Sequence, residues 1–435
     1  MEQIPCHPQR RFYYGWVIVG LAMISMAFWF AVRSTFTVFF AELIDHFRWG
    51  RAEAAGVQSL TFFVYMATVP LIGSLVDRIG PRKVIMFGAF LTGVGLLLCT
   101  QIQSLLQFYL FFGLIVGMGS SCFSIAPFTV VLAHWFERKR GTANGLAAVG
   151  IGVGILLFVP LVQYLISLYG WRAAFLVLSL LFFLIPLPLN AIFLRRTPKE
   201  MGCLPDVDLL TSPPGSDHGG IQADKNLHSS MRNQDLSLLE IIKTARFWGF
   251  LLFPSLTSLG VYVILVHHMK YLIDLGVEKL WAASLFAGMG ALSAAFRFFW
   301  GWFSDRRGRE VTFTLGGICF SSGTLFLILF QHFPALPVLY LFAFFFGTGW
   351  GVTAPMYMSI AADLYRGKNF GLIYGFLEAA IGIGAAIGSW IAGYIFDKTG
   401  TYLWAFILVI LLTLISILLV WFVAPRKFGP IEPQP

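Results

Sequence analysis

Long apolar segments dominate this sequence and set the strongest limit on its fold. Twelve segments of about 20 residues or more are separated by short turns and by one long polar stretch. About 20 apolar residues in a helix cross the roughly 30 Å hydrocarbon core of a bilayer. The sequence therefore predicts an all-α membrane protein with twelve transmembrane helices. The segments cover approximately residues 14–41, 53–76, 84–102, 106–133, 142–167, 173–194, 247–270, 280–304, 311–331, 335–362, 369–395 and 401–424.

The composition excludes a soluble globular domain. Hydrophobic residues make up 58% of the chain and charged residues only 12%, whereas soluble domains carry about 25% charged residues. The net charge of +9 does not indicate nucleic-acid binding, because the basic residues stand in turns between apolar segments. The five cysteines show no metal-ligand or disulfide spacing. We therefore expect a lipid bilayer as the environment, with no nucleic-acid partner, metal or cofactor.

The distribution of Lys and Arg predicts the orientation in the membrane. If residue 1 is cytoplasmic, 22 of the 30 basic residues fall in the cytoplasm and 6 fall outside. This excess follows the rule that basic loops remain inside. We therefore expect a multi-pass protein of the cell inner membrane with both termini in the cytoplasm, and we expect it to be a monomer.

The two halves of the chain repeat the same short motifs. The pattern G-x-x-x-D-R-x-G occurs at residues 73–80 and again at 301–308, and Ala-Pro occurs at 126–127 and again at 354–355. We infer an N-terminal six-helix bundle over 1–195, a cytoplasmic linker over 196–243 and a C-terminal six-helix bundle over 244–435. Repeats of this kind place a substrate site between the halves near the bilayer midplane, where rocking exposes it to each side in turn.

These motifs resemble those of a known transporter family. The paired turns look like the signature loop of the major facilitator superfamily, and residues 135–150, WFERKRGTANGLAAVG, resemble the helix 4 to 5 signature of monocarboxylate transporters. Residues 48–52 and 196–205 are similar to the bacterial branch, which also includes oxalate/formate exchangers. The resemblance implies the major facilitator fold and a secondary active transporter. Its substrate would be a small monocarboxylate such as lactate or pyruvate, carried with protons by alternating access.

Arg297 is the first candidate for binding an anionic substrate. It lies within an apolar segment and matches the helix 8 arginine that the resembling carriers use for the substrate carboxylate. Ionisable groups inside a membrane span are costly and are usually functional. A guanidinium can hold a carboxylate through two parallel hydrogen bonds. A structural or snorkelling role is the alternative.

Glu378 is the candidate for proton coupling, since it is the one carboxylate well inside an apolar segment. It lies at about the same depth as Arg297 in the same half. We predict that Glu378 competes with the substrate for Arg297, and that protonation of Glu378 releases the guanidinium. The alternative is a permanent structural ion pair.

Further candidates follow from position and helical spacing. Arg33, about two-thirds of the way along the first helix, either completes the substrate site or reaches the outer membrane surface. Softer substrate-site candidates, which also suit plain helix packing, are Ser124, Ser258, Tyr262, Trp350, Tyr357 and Tyr374. Prolines inside apolar segments predict loosened helices, and they are Pro127, Pro254 and Pro355.

The charged residues of the repeated turns predict a gate on the cytoplasmic side. A carboxylate at a helix end can pair with arginines and with the N-terminus of a neighbouring helix. The gating candidates are Asp77, Arg78, Arg82, Arg140, Asp305, Arg306 and Arg309. His267 and His268, near the outer end of the seventh helix, are interpreted as ordinary interfacial histidines, with pH sensing as the alternative.

Several positions depart from the family pattern and leave other functions open. Ser293 stands where many monocarboxylate carriers place an acid, and residues 12–14 replace an acid of the first helix. Leu377 and Glu378 stand near the second cation of oxalate exchangers. The alternatives are an exchanger of organic or inorganic anions, an exporter of amphipathic compounds, and a sensor or scaffold without transport. The sequence has no phosphate-binding loop or nucleophile elbow, so we do not expect an enzyme.

Overall fold

The computed structural model describes residues 13–136, 140–201, 241–365 and 370–424. These residues are helical apart from short turns, and they include no β-strand. Ten helices in this part of the chain are long and apolar enough to cross a membrane by length and composition. The predicted all-α membrane fold is confirmed. The count of twelve spans stays a prediction, and the observed helices are consistent with it.

The first half of the described chain begins with long helices and contains one long bent helix. The π-helix Tyr109–Val116 joins α4 to α5, and a 3-10 turn covers Pro198–Met201. The α-helices are α1 (Gly15–Phe47), α2 (Arg51–Ile79), α3 (Pro81–Cys99), α4 (Leu105–Phe108), α5 (Gly117–Cys122), α6 (Ile125–Trp135), α7 (Arg140–Leu184) and α8 (Pro186–Phe193). The 45-residue α7 changes direction at Gly170, where φ is 80° and ψ is 169°. Its two arms therefore correspond to two of the predicted spans.

The second half of the described chain follows the same plan. Its helices are α9 (Ala245–Asp274), α10 (Lys279–Arg307), α11 (Arg309–Phe330), α12 (Leu336–Gly351), α13 (Thr353–Leu364), α14 (Phe370–Thr399) and α15 (Leu403–Val423). Most of the predicted linker lies outside the described residues. The predicted boundaries at 195, 243 and 244 are therefore still predictions.

The repeated turns have the same backbone geometry in both halves. Gly80, between α2 and α3, has a φ of 89° and a ψ of 149°, and Gly308, between α10 and α11, has a φ of 97° and a ψ of 159°. Each glycine N–H caps the helix before it, by donating to the carbonyl of Val76 or Ser304 at 3.0 Å. Glycine is the residue that adopts a positive φ without a steric penalty, which explains why both copies of the motif end in glycine.

The repeated Ala-Pro pairs mark matching interruptions. Helix α6 begins two residues before Pro127, and α13 begins two residues before Pro355. Proline lacks the N–H that a helix interior requires, but it is tolerated in a first turn. Pro254 instead lies inside the continuous α9. Of the three prolines predicted to loosen their helices, Pro127 and Pro355 therefore stand at helix interruptions, whereas Pro254 does not.

Glycines allow close helix contacts within each half. Gly150 and Gly154 place α7 against α1, and Gly384 and Gly388 place α14 against α9. A Cβ added at any of these four glycines would lie 2.0–2.3 Å from a carbonyl oxygen of the facing helix. Both pairs have the G-x-x-x-G spacing of closely packed membrane helices. The halves meet through α1 with α9, α2 with α14 and α7 with α10, and these interfaces carry most of the candidate site residues.

Candidate functional site

Arg297 lies on α10 with part of its guanidinium buried and unsatisfied. Its Nε is buried without a hydrogen-bond partner, and so is the Oγ of Ser293 one helical turn earlier. The hydroxyl of Tyr262, on α9, is near enough to interact with the arginine charge. A buried donor without a partner loses its hydration free energy with no compensation. A carboxylate beside Arg297 would supply the missing acceptor through a charge-assisted hydrogen bond.

Arg33, on α1, is surrounded by aromatic rings. Its guanidinium carbon lies 5.0 Å from the ring centre of Trp29, 4.7 Å from that of Phe62 and 5.3 Å from that of Tyr65. Cations at these distances are attracted to the negative faces of the rings. Arg33 is also 14 residues before the end of α1, or about 21 Å along a helix. In this conformation its side chain therefore stays within the bundle.

Glu378, on α14, has different neighbours from those that we expected. The Tyr374 hydroxyl, one turn earlier, is hydrogen-bonded to its carboxylate, and Arg33 is the cation whose charge acts on it. Among the described residues, no hydrogen bond or ion pair joins Glu378 to Arg297. Glu378 is exposed in the middle of a long helix, with Arg33 from the other half nearby. We infer that its carboxylate faces open space between the halves.

Both serine candidates are engaged in helix packing. Ser258 donates to the carbonyl of Ile381 on α14 at 2.9 Å, and Ser124 donates to the carbonyl of Ser121 at 2.8 Å. The Ser124 hydroxyl also lies near the hydroxyl of Tyr65. These contacts give both serines structural roles in this conformation.

Two of the aromatic candidates, Tyr262 and Trp350, lie at the boundary between the halves, and Tyr357 lies on α13. The Tyr262 ring packs edge-on against Phe62 of the other half, with centroids 4.6 Å apart, and Trp350 lies 6.5 Å from Phe30. The Tyr357 hydroxyl is buried and has no well-formed hydrogen bond. The neighbouring Thr257 hydroxyl donates instead to its own helix, at the carbonyl of Phe253. The Thr257 hydroxyl is therefore the neighbour that a ligand would supplement or replace at Tyr357.

A small cavity adjoins Arg33 between α1, α2, α9 and α10. Its volume is about 20 Å³, and Gln58, Tyr262 and Phe286 contribute to its walls. That volume is enough for about one water molecule. The Oε1 of Gln58 is buried there without a partner. The halves are therefore packed together on this side of Arg33.

Ion pairs join the halves where α1 ends and α2 begins, and we call this end of the bundle the closed end. The ion pairs that cross between the halves in the described part of the chain are Arg51–Asp274 at 2.5 Å, Lys270–Asp45 at 2.5 Å and Lys279–Glu42 at 2.6 Å. Sequence reasoning missed this arrangement. The signal was present as opposite charges at helix ends, but their pairing depends on which helices meet.

The start of α2 adds further contacts to the closed end. Asp397, on α14, accepts hydrogen bonds from the backbone N–H groups of Arg51 at 3.0 Å and Ala52 at 2.8 Å. A carboxylate at a helix N-terminus is stabilised by the helix dipole. The Arg51 guanidinium also lies 3.6 Å from the ring centre of Phe396. Arg51 therefore binds the other half through charge, backbone and ring contacts.

The predicted gating residues lie at the opposite end of the bundle. Arg82 donates to the carbonyl of Ala191 on α8, within the first half. Arg309 pairs with Asp363 at 2.9 Å and donates to Ser304 at 2.7 Å, within the second half. These contacts fasten helices inside one half and do not join the halves.

The other gating candidates give less information. Arg78 is exposed, and the Arg306 guanidinium lies 4.0 Å from the ring centre of Trp302 on its own helix. The side chains of Asp77, Arg140 and Asp305 lie outside the described part of the chain. Gating by this set stays a prediction.

Comparison with known proteins agrees with the fold and the motifs. The model of the Major Facilitator Superfamily matches residues 18–366 and 274–434. Monocarboxylate transporter 2 of Homo sapiens is 29% identical over 411 residues, which cover 92% of this chain and 83% of that protein. Monocarboxylate transporter 13 of Bos taurus is 27% identical over 394 residues, which cover 91% of this chain and 85% of that protein.

A solved structure has the same fold. It is the crystal structure of a bacterial homolog to the human lysosomal transporter Spinster, in an inward-facing and unoccupied conformation. The TM-score is 0.67 at 15% identity, over 94% of this chain and 95% of that one. Because the family model spans nearly the whole chain, this protein belongs to the Major Facilitator Superfamily and is a membrane transporter rather than an enzyme.

Proposed function

We propose that the protein carries a small monocarboxylate, of the lactate or pyruvate type, together with a proton by alternating access. The observation that carries the proposal is the buried Nε of Arg297, which has no hydrogen-bond partner in the described structure. A carboxylate offers acceptors in the geometry that a guanidinium prefers. The monocarboxylate transporters that share 27–29% identity with the chain support this class of substrate.

The proposal assigns the proton to Glu378. With Glu378 ionised, Arg33 and Arg297 leave the site with one net positive charge, which one carboxylate neutralises. Protonation of Glu378 raises that charge to two and strengthens anion binding. By linkage, the bound anion then favours the bound proton to the same extent. Proton and anion therefore bind together without direct competition for Arg297.

The closed end faces the outside of the cell in this proposal, with the protein in the inner membrane and both termini in the cytoplasm. The excess of Lys and Arg at the opposite end supports that orientation. With the ion pairs Arg51–Asp274, Lys270–Asp45 and Lys279–Glu42 intact at the outside, the conformation is one that exchanges substrate with the cytoplasm. Opening of the closed end completes the transport cycle.

The test is uptake of radiolabelled lactate into proteoliposomes, with and without an inward proton gradient. We expect gradient-driven uptake by the wild type and a loss of about 10- to 100-fold in Arg297→Gln, as a charged hydrogen bond contributes about 1.5–3 kcal/mol. Uptake by Arg297→Lys should be intermediate, because lysine keeps the positive charge but cannot form the two parallel hydrogen bonds of a guanidinium. Arg172→Gln, which changes an exposed arginine beside Trp171, serves as the control and should match the wild type.

Glu378→Gln separates the two parts of the proposal. We expect it to abolish the stimulation by the proton gradient while exchange of internal for external lactate continues. Loss of both activities would assign Glu378 a structural role. Wild-type uptake that ignores the gradient and needs internal carboxylate would overturn proton symport.

That last outcome would favour anion exchange, the second candidate. Its supporting observation is Arg33, which lies among aromatic rings inside the bundle and gives the site a second positive charge. An exchanger of organic anions would need this charge to retain an anion at every step. Oxalate and formate are the substrates with which to measure exchange in that case.

A further inference from the structure

A buried chain of hydrogen bonds connects His267 to the ion pairs of the closed end. Arg51 donates from Nη1 to the Tyr402 hydroxyl at 3.0 Å, and the same hydroxyl lies 3.0 Å from Nδ1 of His267. The Nε2 of His267 lies 2.8 Å from the carbonyl oxygen of Ser389. His267 and Tyr402 are almost completely buried. The chain therefore runs from Arg51, in the first half, into the core of the second half.

The partners of His267 determine where its protons lie. A carbonyl oxygen can only accept, so Nε2 carries a hydrogen and donates it to Ser389. The Tyr402 oxygen accepts from Arg51, which leaves its own O–H to donate to Nδ1 of His267. The closed arrangement thus requires a neutral imidazole with a free Nδ1 lone pair. A second proton on the ring would remove that acceptor. It would also place a positive imidazolium beside the Tyr402 hydroxyl, to which the positive Arg51 already donates.

We propose that His267 is a second proton-binding site, and that its protonation opens the closed end. The inference builds on the proton-coupled transport proposed above by adding a proton site on the outer side. When the halves separate, Arg51 and Phe40 of the first half leave His267 and Tyr402 of the second half. Water then reaches the imidazole, because Phe40 covers it in the closed state with ring centres 5.0 Å apart.

The other charged or titratable residues near His267 have partners of their own and do not bond to its ring. His268, on the same helix, bonds its Nδ1 to the carbonyl of Ile264 at 2.9 Å and so points elsewhere. Lys270 and Asp274 bind each other at 2.8 Å. The titratable groups that face this region, by element, are Asp45 on α1, Arg51 on α2, His268, Lys270, Tyr271 and Asp274 on α9, Asp397 on α14, and Tyr402 before α15.

Linkage gives the direction of the effect. The closed state excludes a proton from His267, whereas the open state hydrates the ring and removes the nearby Arg51 charge. A proton that binds one of two conformations favours that conformation. For one proton, the ratio of open to closed protein rises by up to about tenfold for each unit fall in pH. Acid outside the membrane would therefore open the carrier toward the proton source.

The experiment measures the distance across the closed end with spin labels, in frozen samples between pH 5.5 and pH 8. The labels are attached at Tyr169→Cys and His332→Cys, both exposed near the closed end and in different halves, after replacement of the five native cysteines. We expect the long-distance, open population of the wild type to grow as the pH falls. In His267→Gln, whose amide can still donate to Ser389, the open population should change less than about twofold over that range.

Two further variants test whether the pH response passes from His267 through Tyr402 to Arg51. His268→Gln removes the neighbouring buried histidine and should respond to pH as the wild type does. Tyr402→Phe removes the hydroxyl that connects His267 to Arg51, and it should weaken the pH response while every charge remains. An unchanged pH response in His267→Gln, or its loss in His268→Gln alone, would overturn the proposal.

A second measurement needs neither labels nor a transport substrate. Hydrogen–deuterium exchange of the segment 266–274 is compared among unlabelled wild type, His267→Gln and His268→Gln at one acidic pH, so that the intrinsic exchange rate cancels. We expect faster exchange in the wild type and in His268→Gln than in His267→Gln. Equal exchange in all three would contradict the proposal. Because no lactate is involved, failure here is distinct from failure of the proposed substrate or of the role of Glu378.

Discussion

At the scale of single residues, three residues of the candidate site carry polar groups that the protein leaves unsatisfied. Buried side-chain polar atoms are normally hydrogen-bonded, yet Arg297, Ser293 and Tyr357 each hold a buried N or O atom without a partner. These residues lie on α10 and α13 of the same half.

Ser293 offers a direct test of the anion site. It is 1% exposed and precedes Arg297 by four residues, so an acid there would pair with the guanidinium along the helix. We expect Ser293→Asp to lower lactate uptake about tenfold at pH 7.5, and partial recovery at acidic pH as the new carboxylate is protonated. Ser293→Ala, which leaves the guanidinium without a competing acid, should transport at least several-fold faster than Ser293→Asp at pH 7.5. Equal uptake by the Asp and Ala variants would place the substrate away from Arg297.

Tyr357 separates binding from stability. Its hydroxyl has no well-formed bond within the protein and only the Thr257 hydroxyl beside it, so Tyr357→Phe removes little hydrogen bonding and relieves a poorly satisfied group. We expect KM for lactate to rise about fivefold and the thermal unfolding midpoint to stay within about one degree. A lowered midpoint with an unchanged KM would show that the hydroxyl serves packing and not the substrate.

At the scale of elements, backbone conformation explains which motifs recur. Gly80 and Gly308 end the repeated turns because both adopt a positive φ, which a side chain would strain. The Ala-Pro pairs recur because each half interrupts a helix at the same point. These features are local, so the sequence was sufficient to predict them. The gating predicted for the charges in the same turns depends on distant partners, so it stays a prediction.

Helix contact through glycine gives a prediction at the same scale. A Cβ at Gly384 would lie 2.0 Å from the carbonyl oxygen of Ser255, whereas a Cβ at Gly375, also on α14, meets nothing within 4 Å. We expect Gly384→Ala to lower the free energy of unfolding by about 1–3 kcal/mol, the usual range for overpacking. Gly375→Ala should leave it unchanged or raise it slightly. Thermal unfolding in detergent measures both, and equal midpoints would show that α9 and α14 separate more easily than the structure implies.

At the scale of the whole molecule, charge pairs at one end hold the halves together. Each pair is partly exposed, and such pairs contribute roughly 0–1 kcal/mol apiece. A modest total is suited to a carrier, since the closed end must open in every cycle. The same reasoning predicts that high salt, which screens exposed charges, increases the open population.

A charge exchange tests this arrangement. Lys279 and Glu42 form a pair at 2.6 Å across the halves. Lys279→Glu places two acids opposite each other and should raise the open population about fivefold in the spin-label measurement. The double variant Glu42→Lys with Lys279→Glu restores an opposite pair and should return the population toward the wild type. If the double variant opens as far as the single one, the pair does not hold the closed end.

The sequence by itself determined the membrane class, the helical fold, the internal repeat and the positions of the intramembrane charges. These properties follow from apolar length, from motifs repeated at a constant offset, and from the rarity of charge in a bilayer. Only the tertiary structure decided which charges are neighbours, because the rotation of each helix depends on packing with several others. It brought Glu378 to Arg33 instead of Arg297, joined Arg51 to Asp274, and placed His267 at the end of a hydrogen-bond chain. The physical reason is that hydropathy acts along the chain, whereas a charge acts on whatever lies within a few ångströms of it.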